Sequence, residues 1–292
     1  KASKGEALLC RAYSHFVLAN LFCMPYNPAT ADNYLGIPYM DHAETDLNPR
    51  YDRGTLKEVY EMIGKDIAEG IPLIDDTSYA VPKYHFNYKA ACCFASRYYL
   101  FIQDWDNAIK YATEALTSNP TSLLRDYDAI AAIPNGTSRH QAYVQSSSSA
   151  NFLVQAATSS AGTVFGWYTT AGRYAHGKLQ GTYETVQPKY GGPWGNSVYF
   201  KAGHAVLASS GKYILPRIWY TFQYTDPVAG TGYSKAVSVL FCMEEALLNR
   251  AEAYVMKMQE DPSALDSALA DMNMYASNLF SSGFTPMTEE SI

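Results

Sequence analysis

The sequence predicts a mainly α protein: a helical-repeat scaffold (an α-α superhelix) carrying a large loop-rich excursion with minor β structure. Three observations carry this. Apolar residues recur at helical spacing toward both ends of the 292-residue chain. Residues 121–240 hold thirteen of the nineteen glycines, three of the four tryptophans and eleven of the 25 tyrosines, a composition of loops rather than helices. The same stretch carries nine Lys/Arg against four Asp/Glu, whereas the remainder carries thirteen against twenty-four, so a basic middle sits between acidic ends. The expected organisation is one domain over 1–292, with scaffold at 1–120 and 241–282 and a ligand-facing excursion at 121–240.

The elements follow in order. From Gly5 to Phe22, Leu8, Ala12, Phe16, Ala19 and Leu21 form a helical stripe that gives way near Pro25. After a Pro- and Gly-rich loop, Thr55 and Glu58 have the capping-box spacing. Leu56, Val59, Tyr60, Ile63 and Ile67 then make one apolar face, stopped at Pro72. The strongest local pattern is "AACCFASRYYLFIQDWDNAIKYATEALTSNP", residues 90–120. Ser96 and Tyr99 sit on its first helix, Trp105 opens the second, Ala108, Ala112 and Ala115 recur along it, and Pro120 closes it. Small residues on both helices permit close antiparallel packing while aromatics wedge the angle, which is the tetratricopeptide (TPR) pattern. A looser pair recurs late, with Ala251 and Tyr254 on one helix, a turn at Pro262, and Leu265, Ala268, Leu269 and Met272 on the next. The two pairs can stack if the excursion returns to the scaffold.

Composition excludes several classes. With 48% hydrophobic and 17% charged residues the chain reads as soluble and globular. No apolar run approaches the roughly 18 residues that span a bilayer, and no charged start leads into an apolar signal region. The helical pattern begins within a few residues of Lys1, so upstream sequence is expected. The five cysteines have no C-x-x-C spacing and read as buried free thiols. The motifs H-E-x-x-H, G-x-S-x-G and G-x-x-x-x-G-K-[ST] are absent, and Ser209-Ser210-Gly211-Lys212 stands without the partner motifs that an S-x-x-K serine needs. Acidic pairs such as Asp75/Asp76 and Glu244/Glu245 read as solvated helix faces, and the six histidines lack ligand spacing. No catalytic residue, metal site or cofactor is expected.

Several linked motifs resemble a known family. "GEALLCRAYSHFVLANLF" is similar to the first helix of the SusD/RagB family at Glu6, Ala7, Arg11, Ala12, Phe16, Leu18, Asn20, Leu21 and Phe22. "GIPYM", "RGTLKEVYEMIGKDI", "IPLI" and the TPR pair follow in the family's order, and "EEALLNRAEAY" resembles a late family helix at Ala251, Glu252 and Ala253. The resemblance covers roughly 5–120 and 240–275. It implies a non-catalytic, surface-exposed outer-membrane lipoprotein that binds a nutrient glycan and passes it to a TonB-dependent, SusC-like transporter. It also implies a membrane anchor at a lipidated N-terminus, which is expected to lie upstream of Lys1. Family ligand residues share no motif, so none is carried over.

The candidate ligand residues therefore come from chemistry. A pyranose offers C–H groups on one face and hydroxyls around its rim, so it suits an exposed aromatic ring with a polar neighbour. Trp167/Tyr168, Tyr190/Trp194 and Trp219/Tyr220 place aromatics close together in the excursion, with Asn196 and Arg217 nearby. The local positive charge narrows the expectation toward a glycan carrying uronate, sulfate or sialate groups. Basic and aromatic interleaving also suits single-stranded nucleic acid, but the net charge of −6 and the absence of a dense basic run weigh against it. A TPR-type protein adaptor is the alternative; it accounts for the scaffold and leaves the tyrosine-rich excursion unexplained.

Overall fold

The computed structural model describes residues 1–47, 49–162, 199–201, 203, 206–207, 213–214 and 217–291. Helix α1 spans Ala2–Phe22 and α2 spans Leu56–Gly70. The Thr55 cap works as its spacing predicts: the Glu58 amide donates to Thr55 Oγ1 at 3.2 Å, and Glu58 Oε2 accepts from the Thr55 amide at 2.7 Å. Residues of two family-like motifs interlock across this pair. Arg11 Nε and Nη2 grip the buried Asp66 carboxylate at 2.6 and 2.7 Å, a bidentate pair that fixes the rotation of one helix against the other. Asn20 Nδ2 donates to Tyr60 Oη at 3.1 Å.

Helices α3 (Tyr88–Phe101) and α4 (Trp105–Leu116) form the antiparallel pair read from the sequence, and α4 buries Ala108, Ala112 and Ala115. The late pair is α7 (Met243–Lys257) and α8 (Ala264–Leu279). Helix α7 packs directly on α3 and α4 although more than a hundred residues intervene. Polar pairs hold this stacking in register: Arg97 Nε donates to Glu245 Oε1 at 2.6 Å, and Asn249 Nδ2 donates to Ser96 Oγ at 2.9 Å. The main core gathers Leu9, Phe16, Ile63, Phe94, Phe152 and Phe241 from α1, α2, α3 and the sheet.

Among the described residues between the helical pairs are the short helices α5 (Tyr127–Ala132) and α6 (Gly136–Tyr143) and strand β1 (Asn151–Thr158). The two-residue strands β2 (Tyr199–Phe200), β3 (Val206–Leu207) and β4 (Tyr213–Ile214) come later in the same stretch. Strands β5 (Ile218–Asp226) and β6 (Thr231–Cys242) complete a three-stranded antiparallel sheet of order β1-β6-β5. Strand β7, Phe280–Ser282, pairs with β2. The β content exceeds the short runs expected from sequence, because β5 alternates large residues along nine positions that read as scattered aromatics when taken singly.

The return to the scaffold is fixed by a buried polar network. Arg125, 2% exposed, donates from Nε and Nη2 to the Glu244 carboxylate at 2.6 and 3.2 Å, from Nη2 to Asn151 Oδ1 at 2.8 Å, and from Nη1 to the Tyr143 carbonyl at 3.2 Å. Its guanidinium lies 3.8 Å from the Tyr143 ring centroid. Glu244, read from sequence as one of a solvated pair, is instead buried at the first turn of α7, because Arg125 supplies the countercharge from far away in the chain. The thiols also differ from expectation: Cys92 and Cys93 are buried, but Cys10 is exposed on α1.

Candidate carbohydrate-binding surface

The β5–β6 hairpin forms because its turn is chemically set. Asp226 Oδ1 accepts from the Val228 and Ala229 amides at 2.9 and 3.0 Å, and Gly230 takes φ +67°, open to glycine at little cost. Successive residues of a strand point to opposite faces, so the aromatics of "IWYTFQYTD" are divided between two surfaces.

One face turns to the helices. Trp219 and its cross-strand partner Val237, with Val239, pack against a second core cluster of Tyr127, Ile130, Tyr143, Ala276, Leu279 and Phe280. The His140 ring Nδ1 hydrogen-bonds the Ile218 carbonyl at 3.1 Å and ties α6 to this strand. Burial holds the His140 imidazole below its ordinary pKa, against the opposing effect of that bond.

The other face carries Tyr220, Phe222 and Tyr224 in a row. Their cross-strand partners are small: Ala236, Ser234 and Gly232. A Cβ at Gly232 would lie 2.8 Å from Phe222 Cε1 and 2.2 Å from the Gln223 carbonyl, so the glycine is what lets the phenyl ring lie against the sheet. Tyr224 stands edge-on to Phe222 with centroids 4.9 Å apart and is 58% exposed. Tyr220 is half-buried near Gly162, where a Cβ would sit 2.9 Å from Tyr220 Cβ. The row graduates from a covered ring to an open one, the geometry of an aromatic platform with a fixed base.

Of the residues singled out from sequence, Trp219 and Tyr220 are neighbours in the chain that the sheet places on opposite faces. Arg217 is exposed immediately before β5. Trp167, Tyr168, Tyr190, Trp194 and Asn196 lie outside the described residues. Sequence reading missed Phe222 and Tyr224, although their alternation with Tyr220 was the available signal.

Among the described residues of the excursion, several basic side chains are already engaged within the molecule. Arg125 is neutralised by Glu244, Lys201 Nζ pairs with Asp128 at 2.8 Å, and Arg139 spends its guanidinium on the Ile133 and Ala131 carbonyls at 2.6 and 2.8 Å. Lys235 Nζ donates to Thr158 Oγ1 at 2.7 Å. Burial alone would push the Glu244 carboxyl up, but the charge and hydrogen bond of Arg125 outweigh it and hold the carboxyl below the ordinary Glu range. Among the described residues, no group of three or more His, Cys, Asp or Glu side chains is placed to hold a metal ion, and no helix is long and apolar enough to cross a membrane.

Comparison with known proteins adds three findings. Residues 1–100 match the SusD-like family model described as starch-binding associating with outer membrane. No curated protein matches the sequence. In three dimensions the chain is similar to a SusD superfamily protein from Bacteroides fragilis, with TM-score 0.65 and 19% identity, covering 100% of this chain and 60% of that one. It is also similar to a SusD superfamily protein from Bacteroides vulgatus, with TM-score 0.60 and 20% identity over 95% of this chain and 58% of that one. A SusD-like carbohydrate binding protein from Bacteroides vulgatus matches with TM-score 0.58 and 17% identity, covering 97% of this chain and 55% of that one. The chain thus spans less than two thirds of the length of these solved proteins, and the shared feature is the mainly α fold.

Proposed function

We propose, on the match of its first hundred residues and the likeness of its fold, that the chain belongs to the SusD/RagB family and is a non-catalytic glycan-binding protein of the bacterial cell surface. It captures an oligosaccharide or polysaccharide at the outer membrane and delivers it to a TonB-dependent transporter. The observation that carries the binding reading is the row Tyr220, Phe222 and Tyr224, backed by small partners and ending in an open ring. Trp167, Tyr168, Tyr190, Trp194, Asn196 and Arg217 are also proposed as ligand-binding residues. Trp219 contributes by holding the strand against the helices. The family resemblance and one similar solved protein, itself a carbohydrate binding protein, support the same reading.

The test is affinity electrophoresis of the protein through gels containing neutral or anionic polysaccharides, with Tyr224→Ala and Trp194→Ala alongside. Retardation by one glycan, reduced in a variant that still melts cooperatively, is the expected result. Retardation that vanishes as salt is raised identifies an anionic ligand. The competing reading, a TPR-type adaptor, draws on an apolar groove of about 380 Å³ between α7 and α8, lined by Val255, Met256, Leu269 and Met272. Unretarded migration in every gel favours the adaptor.

A further inference from the structure

A cleft of about 430 Å³ opens on the scaffold between α1, the chain around Tyr84, and the edge strand β1. Its floor is apolar: Phe86, Leu153 and Val154 are buried there. Beside them Tyr13 is locked edge-on against Phe86, Phe94 and Phe241 at 6.2, 5.4 and 5.4 Å. The rim is polar and in part charged. Glu6 and Ser14 stand on α1, Gln155 is exposed on β1, and His85 lies opposite Glu6, its Nδ1 2.9 Å from Glu6 Oε1.

The aromatic of this cleft is held ready. Tyr84 is 55% exposed, yet its hydroxyl accepts from Ser146 Oγ at 3.4 Å, and the neighbouring Lys83 Nζ donates to the Ser148 carbonyl at 2.5 Å. His85 is fixed from behind by Tyr79, its ring stacked at 4.2 Å with planes 11° apart. A ring fixed at its far end loses little freedom when a ligand covers its face.

We propose that this cleft is a second carbohydrate subsite, holding roughly one or two neutral pyranose units of the glycan. The proposal rests on the glycan-binding reading above and adds a site formed by the helical scaffold and the edge strand β1. An apolar floor covers the C–H face, the open Tyr84 ring stacks, and Glu6, Ser14, His85 and Gln155 take hydroxyls around the rim. The Glu6 carboxylate disfavours an anionic sugar here. A peptide adding as a strand to β1 fits less well, because the Phe152 carbonyl already accepts from Asn87 Nδ2 at 2.6 Å and the turn Pro82–Tyr84 packs across that end of the strand.

Cys10, exposed in the wall of this cleft, provides a local reporter. Iodoacetamide labelling of Cys10 is followed by peptide mass spectrometry in the presence of maltose, cellobiose, laminaribiose, mannobiose or xylobiose, with Cys23 as internal control. At a sugar concentration about ten times the dissociation constant, an occupied cleft slows Cys10 labelling roughly tenfold and leaves Cys23 unchanged. Tyr84→Ala and Gln155→Ala, both at exposed positions, each remove the protection, whereas Tyr224→Ala on the hairpin preserves it. Unchanged Cys10 labelling with all five sugars overturns the subsite; if gel retardation persists, the glycan-binding function survives that loss. Protection by an extended peptide instead of the sugars also overturns it, in favour of strand addition.

Discussion

Replacing Arg125 with methionine removes a countercharge and leaves a carboxylate stranded. Glu244 is 8% exposed and takes two of its hydrogen bonds from this one guanidinium, while Asn151 Oδ1 and the Tyr143 carbonyl lose a donor at the same time. Breaking one side of a buried ion pair costs about 3–5 kcal/mol, a large share of the roughly 5–15 kcal/mol that holds a domain together. The expected fall in Tm is on the order of 10 °C. Thermal unfolding followed by circular dichroism measures the fall in Tm, and urea unfolding measures the loss of free energy. The double variant Arg125→Met with Glu244→Gln recovers most of the loss, because no charge is then left buried. Acidity separates this mechanism from simple packing loss. In the native protein the Glu244 pKa lies below its ordinary 4.5, so its contribution to stability is full above that value and disappears as pH falls through the native pKa. In Arg125→Met burial dominates and raises the carboxyl pKa, so the deficit relative to the native protein shrinks on acidification. A single variant that loses less than about 1 kcal/mol, or a deficit that grows toward low pH, refutes the argument.

Three further outcomes are expected. Gly232→Ala forces a Cβ to within 2.2 Å of the Gln223 carbonyl, so Phe222 and the strand must shift; gel retardation weakens and hydrogen exchange in the hairpin speeds up, while the α1–α2 amides keep their protection. Thr55→Ala removes the Oγ1 that accepts from the Glu58 amide, keeps the backbone amide that donates to Glu58 Oε2, and lowers stability by about 1 kcal/mol in denaturant unfolding, with glycan binding unchanged. Phe241→Ala empties a fully buried position between Phe86 and Phe94 and costs about 3–5 kcal/mol, read from the same unfolding curves.

Much of the scaffold was legible in the sequence because helices announce themselves locally. The Thr55–Glu58 box, the alanine stripe of α4 and the break at Pro72 act within a few residues, and each appears where the spacing puts it. The motif residues Arg11 and Asp66 could be recognised, but their function as a bidentate clasp needed both helices in place. The candidate surface was harder to read for the same reason. Trp219 and Tyr220 are adjacent in sequence, and only strand periodicity sends one ring to the core and the other to the opposite face. Glu244 looked like a surface acid until Arg125, 119 residues away, was brought to it.

The sequence by itself determined the helical pairs, their caps and the family likeness, since these rest on short-range periodicity and local hydrogen bonding. Tertiary structure alone decided which aromatics share a face, which charges are spent inside the molecule, and that Glu6, Tyr84 and Gln155 border one cleft. Those outcomes depend on contacts between residues far apart in the chain, where burial and long-range pairing override what any local stretch can specify.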